Sequence, residues 1–144
     1  MSIVIRPAES ADFPQIVRAY AAWSYGGGIE LEDTVWLAIV DDELSGVVRV
    51  APEHGTFVLR GMRIADSQRG RGVGTRMLRA IAEWLENRDC YCIPYRHLVK
   101  FYGQVGFSEI APARAPSFLA DRAADYGRRG LDVVLMVRRP HLSQ

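Results

Sequence analysis

Three glycines at alternate positions, Gly70, Gly72 and Gly74, mark the segment of this sequence best suited to bind an anion. They lie in the run DSQRGRGVGT, between a stretch that alternates like a strand and one with the apolar spacing of a helix. Glycines let the backbone approach a phosphate closely, and the first N–H groups of a helix have no partner within it. The segment therefore predicts a phosphate-binding turn at a helix N-terminus, to which Arg69 and Arg71 add positive charge. A tight turn whose glycines are purely steric is the alternative.

Two familiar nucleotide-phosphate turns do not fit this segment. The P-loop requires G-x-x-x-x-G-K-[ST], and no lysine follows these glycines. The dinucleotide fingerprint G-x-G-x-x-G fails because Thr75 stands where its third glycine would be. A protein that binds a nucleotide phosphate is therefore disfavoured.

The elements around the turn follow the predicted order β α β β β α β α β α β. Apolar patterns predict strands at residues 2–5, 35–40, 44–50, 56–64, 90–93, 107–110 and 131–137. Helical spacing predicts one helix carrying Ile16, Val17, Tyr20 and Trp23, a second starting near Gly72, a third at residues 97–104 and a fourth within residues 111–130. Gly61 predicts a bulge or a close backbone approach in the fourth strand, and a turn is expected around residues 52–55.

Three successive strands before the main helix exclude a purely alternating βαβ order. The expected fold class is α/β (α+β), with a mixed, mostly antiparallel central sheet of about six to seven strands and helices on both faces. The length of 144 residues and the 49% hydrophobic content predict a single domain over residues 1–144.

Bulk charge and cysteine usage exclude several other classes of protein. A net charge of +1 gives no global field for nucleic acid or an anionic membrane surface, so neither partner is expected. The sequence has neither a leader pattern nor a long apolar run, and its two cysteines, Cys90 and Cys92, would be buried strand thiols, which favours the cytoplasm. No Cys/His set has zinc spacing, so no metal is expected.

The glycine segment fits a third pattern, [RQ]-x-x-G-x-[GA], through Arg69, Gly72 and Gly74. In this respect it resembles the cofactor turn of the GNAT (GCN5-related) family of N-acetyltransferases. A later segment, HLVKFYGQVGF, is similar to the family's Tyr-x-x-x-Gly-Phe pattern, and the resemblance runs from about Met1 to Ile110. The residues that fill this second pattern are Tyr102, Gly106 and Phe107.

The resemblance implies a GNAT-like fold, acetyl-CoA as co-substrate and transfer of the acetyl group to a primary amine of a small molecule or peptide. Tyr102 would be the general acid, since a tyrosine with a pKa of about 10 holds a proton that the leaving thiolate needs. A core aromatic beside Phe101 is the alternative role. Homodimers occur among similar proteins. The implied cofactor-binding residues are Met62, Arg63 and Ile64 for the pantetheine arm, and Arg69, Gly70, Arg71, Gly72, Val73, Gly74 and Thr75 for the pyrophosphate.

The sequence departs from the family pattern at the base and beside the acid. Many relatives carry a glutamate on the central strand, but TFVLRGMRI contains no carboxylate, and Tyr95 stands where an asparagine is common. The candidates for the base are Glu32, Asp33, Glu53, His54 and an ordered water. His97 lies at the start of a predicted helix near the proposed site, and a structural role is expected for it because a lone histidine more often has one.

An acidic loop, YGGGIELED, lies where the resemblance places the acceptor. Its carboxylates Glu30, Glu32 and Asp33 favour a cationic amine if they face the acceptor; a solvated loop is the alternative. The missing strand carboxylate also leaves open a second class of function, a CoA-binding module or sensor that has no catalytic activity.

Overall fold

The computed structural model describes residues 1–140 and places the strands of that range in one sheet. The last four residues of the predicted domain lie outside the described residues. The strands are β1 (Ile3–Pro7), β2 (Thr34–Val40), β3 (Glu43–Glu53), β4 (Thr56–Ile64), β5 (Cys90–Cys92), β6 (Phe107–Ile110) and β7 (Leu135–Arg138). The α-helices are α1 (Phe13–Ala22), α2 (Val73–Leu85), α3 (Val99–Gly103) and α4 (Ser117–Arg128).

The seven strands of the described range lie in the order β1-β2-β3-β4-β5-β7-β6. Only β4 and β5 pair in parallel; all other neighbours are antiparallel. The element order and the mixed, mostly antiparallel sheet predicted from the sequence are therefore confirmed.

Two short turns connect β2 to β3 and β3 to β4. Asp41 and Asp42 in the first turn, and His54 and Gly55 in the second, all have positive φ, as two-residue hairpin turns of the favoured type require. The predicted turn at residues 52–55 is shorter in the structure, because β3 continues through Pro52 to Glu53. Proline is tolerated there since β2 pairs with β3 only as far as Val50, so no neighbour needs the missing N–H.

The side chains of the sheet alternate between two apolar layers, which confirms helices on both faces. Trp36 and Ala38 of β2 face a cluster that contains α2 and α3 residues, whereas Leu37 packs with Ile16 and Tyr20 of α1. On β4, the side chains flanking residue 58 also join the α2 cluster, and residue 58 itself packs with α4. Helices α1 and α4 therefore cover one face, and α2 and α3 cover the other.

Two details of the predicted elements differ in the structure. Val17 is 62% exposed, because α1 packs through Ile16 and Tyr20, one turn apart, and Val17 lies around the helix from both. The last strand begins at Leu135 rather than at residue 131. Its neighbours explain the difference: β5 ends before Pro94, and β6 reaches no further than Leu135, so the preceding residues have no regular partner strand.

Candidate functional site

A gap between β4 and β5 forms the main cleft. The two strands pair only at Phe57 with Cys90 and at Val58 with Tyr91. Beyond these pairs β4 continues to Ile64, whereas β5 ends, and the separated strands border a cleft of about 1270 Å³. The inner edge of β4 has no neighbouring strand there, so its peptide groups can bind an extended ligand as an added strand would.

A bulge at Gly61 shapes the β4 side of this cleft. The pairing of β3 with β4 shifts register at this point, and Gly61 has a φ of +67°. The Tyr20 hydroxyl donates a hydrogen bond of 2.8 Å to the Gly61 carbonyl, and a Cβ atom at this glycine would lie 2.7 Å from that hydroxyl. The predicted bulge and close approach are both present, and they require glycine.

The glycine turn lies at one end of the cleft, directly before α2. Gly70 and Gly72 have φ values of +76° and +80°, which glycine adopts without strain, and Gly72 caps the helix. The first helical bond within α2 runs from the Arg76 N–H to the Gly72 carbonyl, so the three preceding N–H groups have no helical partner. These donors and the helix dipole make the turn suited to bind an anion, and the phosphate site predicted from the sequence stays a prediction.

Gly74, within the turn, and Gln68, just before it, add to the fit of this site for a ligand with phosphates and amides. Gly74 lets α2 approach α3, since a Cβ there would lie 2.9 Å from the Phe101 ring. Gln68 lines the cleft, and its side-chain oxygen is buried without a hydrogen-bond partner in the described part of the chain. An amide N–H of a bound ligand would satisfy that oxygen.

The structure brings nearly all of the predicted cofactor residues to the cleft. Arg71 is the exception, since its guanidinium extends to the sulfur of Met1, 3.7 Å away. Arg69 lines the cleft but is 67% exposed and forms an ion pair with Asp66 at 3.2 Å. The backbone therefore provides most of the buried donors of the turn. The predicted residues that line the cleft are Met62, Arg63, Ile64, Arg69, Gly70, Gly72, Val73, Gly74 and Thr75.

Tyr102 lies on α3 and lines the same cleft, although it is only 5% exposed. Phe101 and Phe107 contact its ring edge to face, with centroids 5.1 and 6.0 Å away. Its hydroxyl makes no hydrogen bond within residues 1–140. Burial raises the pKa of this hydroxyl, Cys92 raises it further, and the charge of Arg63 acts in the opposite direction. Tyr102 is thus a protonated donor at neutral pH.

The acidic loop does not present its carboxylates to the cleft. Asp33 forms an ion pair of 2.9 Å with Arg49, and the two side chains are 1% and 3% exposed. Glu30 and Glu32 are exposed and lie outside the cleft. None of these three carboxylates lines the cleft, so the structure does not support their expected contact with a cationic acceptor. The one that points inward, Asp33, is neutralised by the buried Arg49 of β3.

The remaining candidates for the base also lie outside the cleft. Glu53 accepts hydrogen bonds from Arg122 at 2.6 and 3.2 Å and from Arg60 at 3.4 Å. Burial alone would raise the pKa of Glu53, but the bonds and charge of Arg122 outweigh it and lower that pKa. His54 packs against the Phe118 ring, 4.3 Å between centroids. Within the described range, no aspartate or glutamate lines the cleft.

Sequence reasoning missed the cationic side chains at the other end of the cleft. Arg60 of β4 and Arg122 of α4 line it, together with Arg129, which follows that helix. The seven-residue spacing of Arg122 and Arg129, two helical turns, was the available signal, since it places both on one side of a helix. Tyr25, from the loop after α1, and the stacked pair of Tyr95 and His97 were also missed or treated as structural.

Other chemistries have little support among the described residues. Cys90 and Cys92 are both free and buried, and burial raises the pKa of Cys90 to about 12 and that of Cys92 well above its usual value. Residues 1–140 contain no cluster of three or more side chains that could hold a metal ion. No helix within that range has the length and apolar character to cross a membrane.

A family model described as "Acetyltransferase (GNAT) family" matches residues 4–107, which is more than half of the chain. The match includes the glycine turn, the bulge of β4 and Tyr102. No curated protein matches the sequence.

Solved structures with the same fold share little sequence with this chain. The acetyltransferase of GNAT family from Streptococcus pneumoniae has a TM-score of 0.71 at 15% identity, and the match covers 95% of this chain and 98% of that one. An aminoglycoside 6'-N-acetyltransferase complexed with coenzyme A has a TM-score of 0.66 at 15% identity, with 94% and 96% covered. N-acetylglutamate synthase from Neisseria gonorrhoeae, complexed with coenzyme A and N-acetyl-glutamate, has a TM-score of 0.69 at 18% identity; the match covers 96% of this chain but only 35% of that protein.

Proposed function

The chain belongs to the GNAT family of acetyltransferases, and from this premise we propose that it transfers the acetyl group of acetyl-CoA to a primary amine of a small molecule or peptide. Tyr102 is the general acid of this proposal. The observation that carries it is that Tyr102, whose hydroxyl has no hydrogen-bond partner in residues 1–140, lines the same cleft as the glycine turn. The amine acceptor agrees with the names of two structural neighbours, an aminoglycoside N-acetyltransferase and an N-acetylglutamate synthase.

The cofactor residues divide into two groups by the part of acetyl-CoA that they would hold. The free N–H groups at the start of α2, with Gly70 and Gly72, would bind the pyrophosphate. The unpaired edge of β4 from Met62 to Ile64 would bind the pantetheine arm as a neighbouring strand. Acetyl-CoA supplies a thioester to this site; the protein supplies position and a proton.

The reaction replaces the bond between the acetyl carbon and sulfur with a bond between that carbon and nitrogen, and a proton is transferred at each of these two heteroatoms. The acceptor nitrogen forms a bond to the acetyl carbon, and the bond from that carbon to sulfur breaks. Tyr102 gives its proton to the departing sulfur and regains one from solvent, while the attacking amine loses one proton. A buried phenol that holds its proton is suited to this role, and positioned acids typically contribute about 10²- to 10⁴-fold in rate.

We propose that water takes the amine proton. The acidic candidates Asp33 and Glu53 lie outside the cleft, and each is paired with an arginine. Arg60, Arg63 and Arg122 line the cleft and make an ammonium ion less favourable than a neutral amine there. The acceptor therefore loses its proton more readily near these side chains than in bulk water.

The test compares Tyr102→Phe with Tyr95→Phe, a second tyrosine that lines the cleft. Acetylation of a panel of amines is followed by release of the CoA thiol, and acetyl-CoA affinity is measured by calorimetry. Tyr102→Phe is expected to lower kcat by about 10²- to 10⁴-fold while the Kd for acetyl-CoA stays within about twofold. Tyr95→Phe should change kcat far less.

A different result would separate the two classes of function. If the unmodified protein binds acetyl-CoA but acetylates no amine in the panel, the CoA-binding module without catalytic activity replaces this proposal. Equal kcat values for Tyr102→Phe and the unmodified protein would remove Tyr102 from the acid role and leave acetyl transfer itself intact.

A further inference from the structure

The charged side chains that line the cleft are all positive. Its described lining contains several cationic side chains and no carboxylate, although the chain as a whole carries 18 basic and 17 acidic residues. The imbalance is therefore local to the cleft. The cationic side chains that line it are Arg60, Arg63, Arg69, Arg122 and Arg129.

Arg63 has the most unused hydrogen-bonding capacity of these side chains. It makes no ion pair within residues 1–140, and its one hydrogen bond runs from Nη1 to the Met62 carbonyl, 2.9 Å away. A guanidinium has five N–H donors, so most of them are available to a ligand. Its carbon atom lies 4.8 Å from the centre of the Tyr25 ring, and stacking there holds the group in place.

Strand alternation places the Arg63 side chain on the side opposite the cofactor helix. Met62 and Ile64 pack with the cluster that includes α2, whereas Arg63 contacts Tyr25, which packs with α1. The backbone of residue 63 therefore borders the gap proposed for pantetheine, while the side chain reaches the α1 face. An anion bound there is separate from the phosphates at the glycine turn.

Two further arginines that line the same cleft are held by one glutamate. Glu53 binds both Arg122 and Arg60, and these arginines line the cleft whereas Glu53 does not. Their exposed fractions are 22% and 29%, so both guanidiniums are partly shielded from water. Two positive charges and one negative charge leave an excess of +1, to which Arg63 adds another. We call Arg60, Arg63 and Arg122 the arginine end of the cleft.

We infer that the acceptor carries a carboxylate near its amine and that Arg63 binds this carboxylate at the arginine end. The inference rests on the proposed acetyl transfer and narrows its acceptor to amino acids, which carry a free carboxylate close to the amine. A planar guanidinium matches a carboxylate with two parallel hydrogen bonds, which gives orientation as well as affinity. Arg63 is close enough to influence the pKa of Tyr102, which lines the same cleft, so a carboxylate held by Arg63 keeps the acceptor near Tyr102.

The experiment measures kcat/KM, on the basis of the neutral amine, for amino acids and for the matching amino amides, in which an uncharged amide replaces the carboxylate. Spermidine serves as a cationic acceptor and phosphoethanolamine as a phosphate-bearing one. The unmodified protein should prefer an acid over its amide by about 10- to 100-fold, since a hydrogen-bonded charge pair contributes that much. Arg63→Gln should bring this ratio close to one, and Arg63→Lys should keep part of it. Arg18→Gln removes an exposed arginine of α1 outside the cleft and should leave the ratio unchanged.

Acetyl-CoA affinity is measured for every variant, so a damaged cofactor site is distinguished from a lost acceptor contact. Equal rates for acids and amides, an unchanged ratio in Arg63→Gln, or a preference for spermidine or phosphoethanolamine would overturn the carboxylate assignment while acetyl transfer stands. If no amine in the panel is acetylated, the proposed function fails and this inference fails with it.

Discussion

The two ends of the cleft are built in different ways. The glycine turn consists of consecutive residues before α2, and its donors are backbone N–H groups. The arginine end combines β4 with α4, and Glu53, which holds Arg122, lies 69 positions before it in the chain. A bound anion at the turn depends on backbone conformation, whereas one at the arginine end depends on side chains that only the folded sheet brings together.

The difference extends to how each end is supported. Arg69 at the turn is mostly exposed, and exposed ion pairs contribute little to stability. At the other end a chain of contacts starts at the buried pair of Asp33 and Arg49, continues from Arg49 to the Tyr25 hydroxyl at 3.1 Å, and leads from the Tyr25 ring to Arg63. Substitutions there should affect both the stability of the fold and the acceptor site.

The largest effect is expected for Asp33→Asn, which leaves the buried Arg49 charge without its carboxylate. Breaking a buried pair typically lowers the free energy of unfolding by about 3–5 kcal/mol. Denaturant unfolding measures the loss, and Asp125→Asn is the control, because Asp125 pairs with Arg129 on the surface at 44% and 65% exposure. Similar stabilities for the two variants would contradict the view that the arginine end depends on the buried pair.

A smaller effect, confined to the affinity for acetyl-CoA, is expected at the turn for Gly72→Asp. A carboxylate beside the pyrophosphate should raise the Kd for acetyl-CoA by about 100-fold through charge repulsion. Gly72→Asn has the same shape, tolerates the left-handed conformation and adds no charge, so it should raise the Kd far less. Calorimetry provides both values. If the asparagine variant binds as poorly as the aspartate variant, the turn acts sterically rather than as an anion site.

The smallest expected effect is on the pH dependence of Tyr102, which lines the same cleft as both ends. A general acid must hold its proton, and a pKa raised by burial extends the protonated range toward alkaline pH. At saturating substrates, kcat should therefore show no loss from Tyr102 ionisation between pH 7 and about pH 10. A decline above pH 9 that is absent from the residual activity of Tyr102→Phe would contradict this assignment.

The sequence alone determined the order of the strands and helices, the glycine turn and the bulge at Gly61. Each of these depends on neighbouring residues: the apolar period separates a strand from a helix, and glycine permits backbone that other residues avoid. The two corrections, at Val17 of the first helix and at the start of the last strand, have the same cause. Residues distant in the sequence decide which side of a helix is buried and where a strand finds a partner. The sequence pattern could not place Val17 on the outer side of α1, nor start β7 at Leu135.

Only the tertiary structure decided which charges face the cleft. Asp33 could be predicted as part of an acidic loop, but its partner is an arginine on β3, and the pair is buried. Arg60 and Arg122 belong to no sequence motif. They line one cleft because α4 packs on the face of the sheet where Val58 of β4 is buried. Local patterns identify where a backbone can bind an anion, but the charge that a side chain presents depends on whether another part of the chain neutralises it.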